Sequence, residues 1–167
     1  DVVDRVATVT LNDPKRRNTI SLDMNAEIVA CIDELESRDD VGAIVLKGTT
    51  REPRLGNPPH RVYETPMGML NAIGLQNPGV DKVVDEILRS LGFTETGFFA
   101  NVCGSTIEDY VETTRRFDDS AIDAIEINIS CPNIKEGGVQ FGNVPEMSAR
   151  VVAACRAVTK KPIITKL

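Results

Sequence analysis

Ala121-Ile-Asp-Ala-Ile-Glu-Ile-Asn-Ile-Ser-Cys-Pro-Asn133 is the stretch on which the reading of the fold turns. Its first part, Ala121 to Ile129, is a largely apolar run that reads as a buried strand. At the end of the run polar groups arrive together: the carboxamides of Asn128 and Asn133, with the thiol of Cys131 between them. A carboxamide both donates and accepts hydrogen bonds, so two of them can hold a flat, polar, ring-shaped ligand by its edges. A cysteine between them can exchange a proton with that ligand. A reaction site is outlined at the end of a strand.

On either side of this stretch, strands and helices alternate. Arg5 to Leu11 alternates apolar and polar residues and reads as a half-buried strand, turned by Asn12-Asp13-Pro14. Ser21 is placed as an N-cap, and Met24, Ile28, Ile32 and Leu35 recur at helical spacing to about Ser37. Val41 to Leu46 is a continuous apolar strand. From Lys47 to about Val80 no period is sustained and prolines are scattered, which predicts a long functional loop. Val83, Val84, Ile87, Leu88 and Leu91 then mark a helix, and Gly97 to Val102 a strand. Ser105 or Thr106 caps a helix reaching Phe117, and the strand Ala124 to Ile129 follows. A Gly-rich loop from Lys135 to Gly142, a helix from about Pro145 to Val158 and a strand Pro162 to Leu167 complete the pattern. Such alternation implies βαβ units and a parallel sheet. Lys47, Asn101, Asn128 to Asn133 and Lys166 all fall just after strands, where parallel α/β folds hold their ligands.

Composition narrows the function classes. The net charge is −6, with 25 acidic against 19 basic residues, which argues against nonspecific binding to nucleic acid or anionic membrane. Aromatics make up 4% with no Trp, so base-stacking platforms are not expected. Cys31, Cys103, Cys131 and Cys155 are widely spaced and His60 is the sole histidine, so no metal site is expected. Neither a signal peptide nor an apolar run of transmembrane length is evident, and a cytoplasmic setting is the expectation.

The ordered words of the chain resemble a known family. Lys47-Gly-Thr-Thr-Arg-Glu-Pro-Arg54, Glu64-Thr-Pro-Met-Gly-Met-Leu-Asn-Ala-Ile-Gly-Leu-Gln-Asn-Pro-Gly79, Ala100-Asn-Val-Cys-Gly-Ser105, Glu126-Ile-Asn-Ile-Ser-Cys-Pro-Asn133, Lys135-Glu-Gly-Gly-Val-Gln-Phe-Gly142 and Lys161-Pro-Ile-Ile-Thr-Lys-Leu167 resemble the catalytic subunit of class 1B dihydroorotate dehydrogenase. The resemblance implies a (β/α)8 (TIM) barrel that holds FMN and oxidises dihydroorotate to orotate in pyrimidine biosynthesis. It implies that Cys131 is the catalytic base, and that Lys47, Asn71, Ala72, Ile73, Gly74, Leu75, Asn128 and Asn133 bind substrate. Lys47, Gly48, Asn101, Asn128 and Lys166 would contact the flavin. A cationic lysine near the ring would stabilise the negative charge of the reduced cofactor. The implied partner is an electron-transfer subunit with FAD and an iron–sulfur cluster, passing electrons to NAD.

Arg5-Val-Ala-Thr-Val-Thr-Leu-Asn-Asp-Pro14, Asn18-Thr-Ile-Ser-Leu-Asp-Met24 and Asp40-Val-Gly-Ala-Ile-Val-Leu46 resemble instead the start of an enoyl-CoA hydratase of the crotonase family. The expected organisation is therefore a crotonase-like strand-helix segment over 1–41 and a half barrel of four parallel strands over 42–167. The two segments would be joined near Val41 to Leu46. Three functions compete: an FMN oxidoreductase in fragment form, an acyl-CoA enzyme fragment, and a chimeric chain with no activity. Residue by residue, plainer roles stand beside these. Cys131 could be a buried strand-end thiol, Lys47 and Lys166 solvated lysines, Asn71 a turn residue, Asn101 a helix cap and His60 a solvated loop histidine.

Overall fold

Isoleucine at every second position sets the central sheet. Successive strand side chains point to opposite faces, so Ile125, Ile127 and Ile129 share one face, and Ala124, Glu126 and Asn128 share the other. The computed structural model describes residues 42–91, 96–130 and 139–167, together with Val2, Val3, Val6, Ala7, Ala30 and Glu34. Its strands are β1 (Val2–Val3), β2 (Val6–Ala7), β3 (Ala43–Thr49), β4 (Val62–Thr65), β5 (Gly68–Asn71), β6 (Gly97–Val102), β7 (Ala124–Asn128) and β8 (Ile163–Lys166). Its helices are α1 (Val80–Lys82), α2 (Ile107–Asp118), α3 (Val139–Gly142) and α4 (Pro145–Arg156). α1 runs on without a break into a π-helical turn, Val83–Ile87, and a 3-10 turn, Leu88–Ser90.

Six strands form one sheet in the order β1-β2-β3-β6-β7-β8. β1 is antiparallel to β2, and every later neighbour is parallel. From β2 onward each strand of the sheet lies beside the one before it, and helical crossovers separate β6, β7 and β8 from their predecessors, the βαβ arrangement expected from the sequence. The register fixes both faces. Ile44 pairs with Phe98, Ala100 with Ile125 and Ile125 with Ile163, so these residues share the helix-covered side. There they build one core with Val80, Val83, Val84, Ile87 and Leu88, with Tyr110 and Phe117 of α2 and with Val151 of α4. Val45 with Phe99, Asn101 with Glu126 and Asn128 with Lys166 define the opposite face.

Polar clasps hold the helices in place. Thr106 caps α2 as a capping box: its side chain accepts from Asp109 N, and Asp109 accepts from the Thr106 N–H. Arg116 joins α2 to the helical run by donating to Asp81 at 2.8 Å and to Asp85 at 2.6 Å. The Arg116 hydrogen bond, opposed in part by desolvation, leaves the Asp85 carboxyl below its ordinary pKa. At the foot of β8, Thr159 Oγ1 and the Lys160 N–H donate to Asp118. Lys161 Nζ donates to the carbonyls of Ser120 at 3.1 Å and Ile122 at 2.7 Å.

Two expectations are corrected. The segment after Leu46 is not a featureless loop, since β3 continues to Thr49 and β4 and β5 pair as an antiparallel hairpin. Thr65-Pro66-Met67-Gly68 has Pro and Gly at the second and fourth positions of a turn, which suits a tight connection. The exposure of all four β5 residues removed the alternation that would have marked a strand. Within the expected Gly-rich loop, Val139–Gly142 is helical. The helix and most of the strand read from the N-terminal segment lie outside the described residues, apart from Val6 and Ala7 in β2 and helical Ala30 and Glu34.

Candidate functional site

The polar residues of β6 and β7 meet at the carboxyl end of the sheet because the register sets them side by side. Asn101, fully buried, lies opposite Glu126 and one pleat from Asn128. Its Oδ1 accepts from the Gly48 N–H at 3.1 Å, from Asn128 Nδ2 at 3.3 Å and from Cys103 Sγ at 3.3 Å. Its Nδ2 donates to the Glu126 carboxylate. Both ends of one buried amide are therefore occupied, as a low-dielectric site requires.

Asn128 continues the chain of bonds. Its Oδ1 accepts from the backbone N–H and hydroxyl of Ser130, each at 3.3 Å. Lys166 Nζ donates to Ser130 Oγ at 3.0 Å, which brings the ammonium of β8 to the same cluster. From the helix side, buried Tyr110 donates its hydroxyl to the Asn128 carbonyl at 2.8 Å. Gly48 sits where the register of β3 against β6 shifts, at φ 68°, a left-handed conformation that favours glycine, with Leu75 Cδ2 3.7 Å from the position of a Cβ there.

Leu75 belongs to the segment 71–75, which is shaped by its neighbours. Asn71 and Ala72 are exposed, Ile73 and Leu75 are half-buried and Gly74 is buried. The Asn57 N–H donates to the Ile73 carbonyl at 2.9 Å, and Asn57 Nδ2 to the Ala72 carbonyl at 2.7 Å. Gly74 has φ 78° and would place a Cβ 2.8 Å from Asn57 N, so no other residue fits there without moving backbone. Arg61 accepts at its carbonyl from the Ala72 N–H, and its guanidinium donates to Leu55 O, Asn57 O and Gln76 Oε1. Buried Asn77 ties the segment to β3. Its Oδ1 accepts from the Thr50 N–H at 3.2 Å and the Gly79 N–H at 2.9 Å, while Nδ2 donates to Thr50 Oγ1 and to the Leu75 carbonyl, each at 2.8 Å.

Of the residues singled out from sequence, Gly48, Asn101, Asn128 and Lys166 are thus brought together, with Leu75 beside Gly48. Lys47 lies in β3 on the strand that ends at the cluster. Asn71 pairs with Val62 at the base of the hairpin. Cys131 and Asn133 lie outside the described residues. Sequence reading missed Asn57, Arg61, Asn77 and Glu126. For Glu126 the signal was available, a carboxylate in an otherwise apolar strand; for Asn77 it was the Asn-Pro-Gly turn it opens. Among the described residues no cluster of His, Cys, Asp or Glu could hold a metal ion. No described helix is long and apolar enough to cross a membrane.

Comparison with known proteins gives matches in sequence and in fold. The family model described as dihydroorotate dehydrogenase matches residues 24–167, so residues 24–41 of the segment read as crotonase-like fall within the match. The chain is 51% identical over 128 residues to the dihydroorotate dehydrogenase B (NAD(+)) catalytic subunit of Geobacillus sp. (strain WCH70), covering 76% of this chain and 41% of that relative. It is 52% identical to the corresponding subunit of Listeria welshimeri, covering 76% of this chain and 42% of the relative. It therefore spans about two-fifths of the length of these relatives. A crystal structure of the enzyme from Eimeria tenella in complex with ferulenol shares the fold, with a TM-score of 0.57 at 21% identity over 70% of this chain and 34% of that one.

Proposed function

The chain belongs to the dihydroorotate dehydrogenase family, and on that basis we propose that residues 42–167 form part of a (β/α)8 barrel that oxidises dihydroorotate to orotate with FMN. The observation that carries the reading is the convergence of the Gly48 N–H, Asn101, Asn128 and Lys166 at one end of a parallel sheet. The donor set suits a flavin, whose ring edge alternates N–H and carbonyl groups. Asn128 uses one Nδ2 hydrogen on Asn101, and the other remains for a ligand. Lys166 uses one of its three donors on Ser130, and its charge would favour the anionic form of a reduced ring. FMN, when bound, supplies the two-electron acceptor.

The remaining chemistry falls to protein groups. Cys131, three residues past Asn128, is proposed to take the proton from the substrate carbon. Asn128 and Asn133 would hold the substrate ring by its edges, and Asn71 with Ala72 to Leu75 would cover it, beside Lys47. The class 1B pattern makes the partner a separate FAD and iron–sulfur subunit linked to NAD. A distinct N-terminal segment of crotonase type, read from the sequence over 1–41, is proposed only for residues 1–23, which lie ahead of the family match.

Titration of FMN with the chain, followed by flavin fluorescence, tests the reading. Quenching of FMN and a further spectral change on adding orotate are expected, together with no hydration of crotonyl-CoA. Unchanged flavin fluorescence would sink the FMN assignment, and measurable hydration would favour the acyl-CoA alternative.

A further inference from the structure

Glu126 stands out as a carboxylate on the inner face of the sheet, on a strand otherwise of alanine, isoleucine and one asparagine. Half-buried, it lies between Asn101 and Ile164 across the sheet, on the face that also carries Asn128 and Lys166. Its hydrogen-bond partner is Asn101. The Gly48 N–H can only donate, so the Asn101 atom facing it must be the amide oxygen. The same oxygen receives Asn128 Nδ2 and Cys103 Sγ. The Asn101 NH2 therefore points the other way, and Glu126 is the acceptor it meets. An amide flip would set NH2 against the Gly48 N–H and oxygen against carboxylate, two mismatches at once. Without Glu126 the NH2 of a fully buried side chain would lack its acceptor and be drawn to rotate toward one.

We infer that Glu126 is a positioning residue of the site: its carboxylate locks the Asn101 amide, and that amide in turn orients Asn128 so that its second N–H faces the ligand. The inference rests on the reading that a ligand is held at these strand ends. Glu126 touches neither substrate nor flavin in this role. It acts through two asparagines.

The test uses the full chain, labelled with 15N and 13C, and FMN as the probe. In the wild type the Asn101 side-chain amide protons should exchange slowly with solvent, and a scalar coupling should pass from Asn101 Nδ2 to the Glu126 carboxyl carbon. Glu126→Leu should abolish the slow exchange and weaken FMN binding by about tenfold or more, the scale of one lost charge-assisted hydrogen bond. Glu126→Gln keeps an acceptor oxygen at the same reach, and should retain slow exchange with FMN binding within about threefold. Equal exchange in wild type and Glu126→Leu would overturn the inference, as would absence of the coupling. Should Glu126→Leu fail to fold, the wild-type coupling and the Glu126→Gln exchange rates still decide. If the wild-type chain fails to bind FMN, the ligand assignment falls, while the lock between Glu126 and Asn101 is still decided by the amide signals, which need no flavin.

Discussion

The strand ends and the excursion between β3 and α1 both supply residues to the candidate site, yet they are held in opposite ways. At the strand ends, position follows from register: Asn101, Glu126 and Asn128 share a face because pairing and pleat leave no alternative. In the excursion, position is secured side chain by side chain, through Asn57, Arg61 and Asn77 bonding to backbone carbonyls and amides. The first region is buried and buffered by the sheet. The second carries Met67 at 97% exposure and Tyr63 at 71% on its hairpin. A ladder distributes the work of positioning over many bonds, whereas a pinned loop concentrates it in a few residues. The contrast predicts where single substitutions hurt most.

The largest effect is expected at Asn101. Asn101→Asp preserves shape and can still accept from the Gly48 N–H, but sets a carboxylate against Glu126 where an amide had donated. A part-buried like-charge pair without a donor between its members should cost about 1–3 kcal/mol. Urea denaturation at neutral pH measures it. A cost under about 0.5 kcal/mol would show that the strand ends are less closely set than the register suggests.

Asn77 tests the other region. Asn77→Ala removes the link from Thr50 to the Leu75 carbonyl and the Gly79 N–H at one stroke. The expected cost is about 1–3 kcal/mol, with proteolytic cleavage rising within residues 51–79 before the rest of the chain. Faster cleavage spread evenly over the chain would erase the distinction between the two regions.

The same contrast explains what could be read from the sequence. β3, β6, β7, β8 and the helices α2 and α4 follow from apolar periodicity and caps, and Thr106, one of two candidates, proves to be the cap of α2. Asn101, Asn128 and Lys166 were visible as polar residues near the carboxyl ends of largely apolar strands. The hairpin was not, because β5 buries nothing and so shows no period. Arg61 and Asn57 were invisible for a related reason. Asn57 bonds to the Ala72 carbonyl and Arg61 to the carbonyls of Leu55 and Asn57, and backbone positions in a pinned loop leave no side-chain pattern.

A smaller effect is expected from pH at the foot of β8. The Thr159 hydroxyl and the Lys160 N–H, outweighing desolvation, hold the Asp118 carboxyl below its ordinary value of 3.8. A carboxyl depressed on folding contributes stability that is present above the unfolded value and lost as pH falls through the folded one. Stability should therefore decline below about pH 4, and Asp118→Asn should flatten that acid limb while lowering stability at neutral pH. Asp85, depressed by Arg116, adds to the same limb. An acid limb unaltered in Asp118→Asn would place the dependence elsewhere.

The smallest effect belongs to the tip of the hairpin, and there a null result is informative. Met67 is 97% exposed beside Gly68, where a Cβ would meet nothing within 4 Å. Its thioether removes almost no surface from water, so Met67→Lys gives up almost no burial energy and should change stability by less than about 0.5 kcal/mol. The turn would survive, since Pro66 keeps its place and the Thr65 hydroxyl still donates to the Gly68 carbonyl. Thermal unfolding of the two proteins at equal concentration measures the difference. A loss above about 1 kcal/mol, especially one that shrinks with dilution, would mean that the hairpin is covered in solution by a second surface. The two regions would then differ in what buries them, and no longer in whether they are buried.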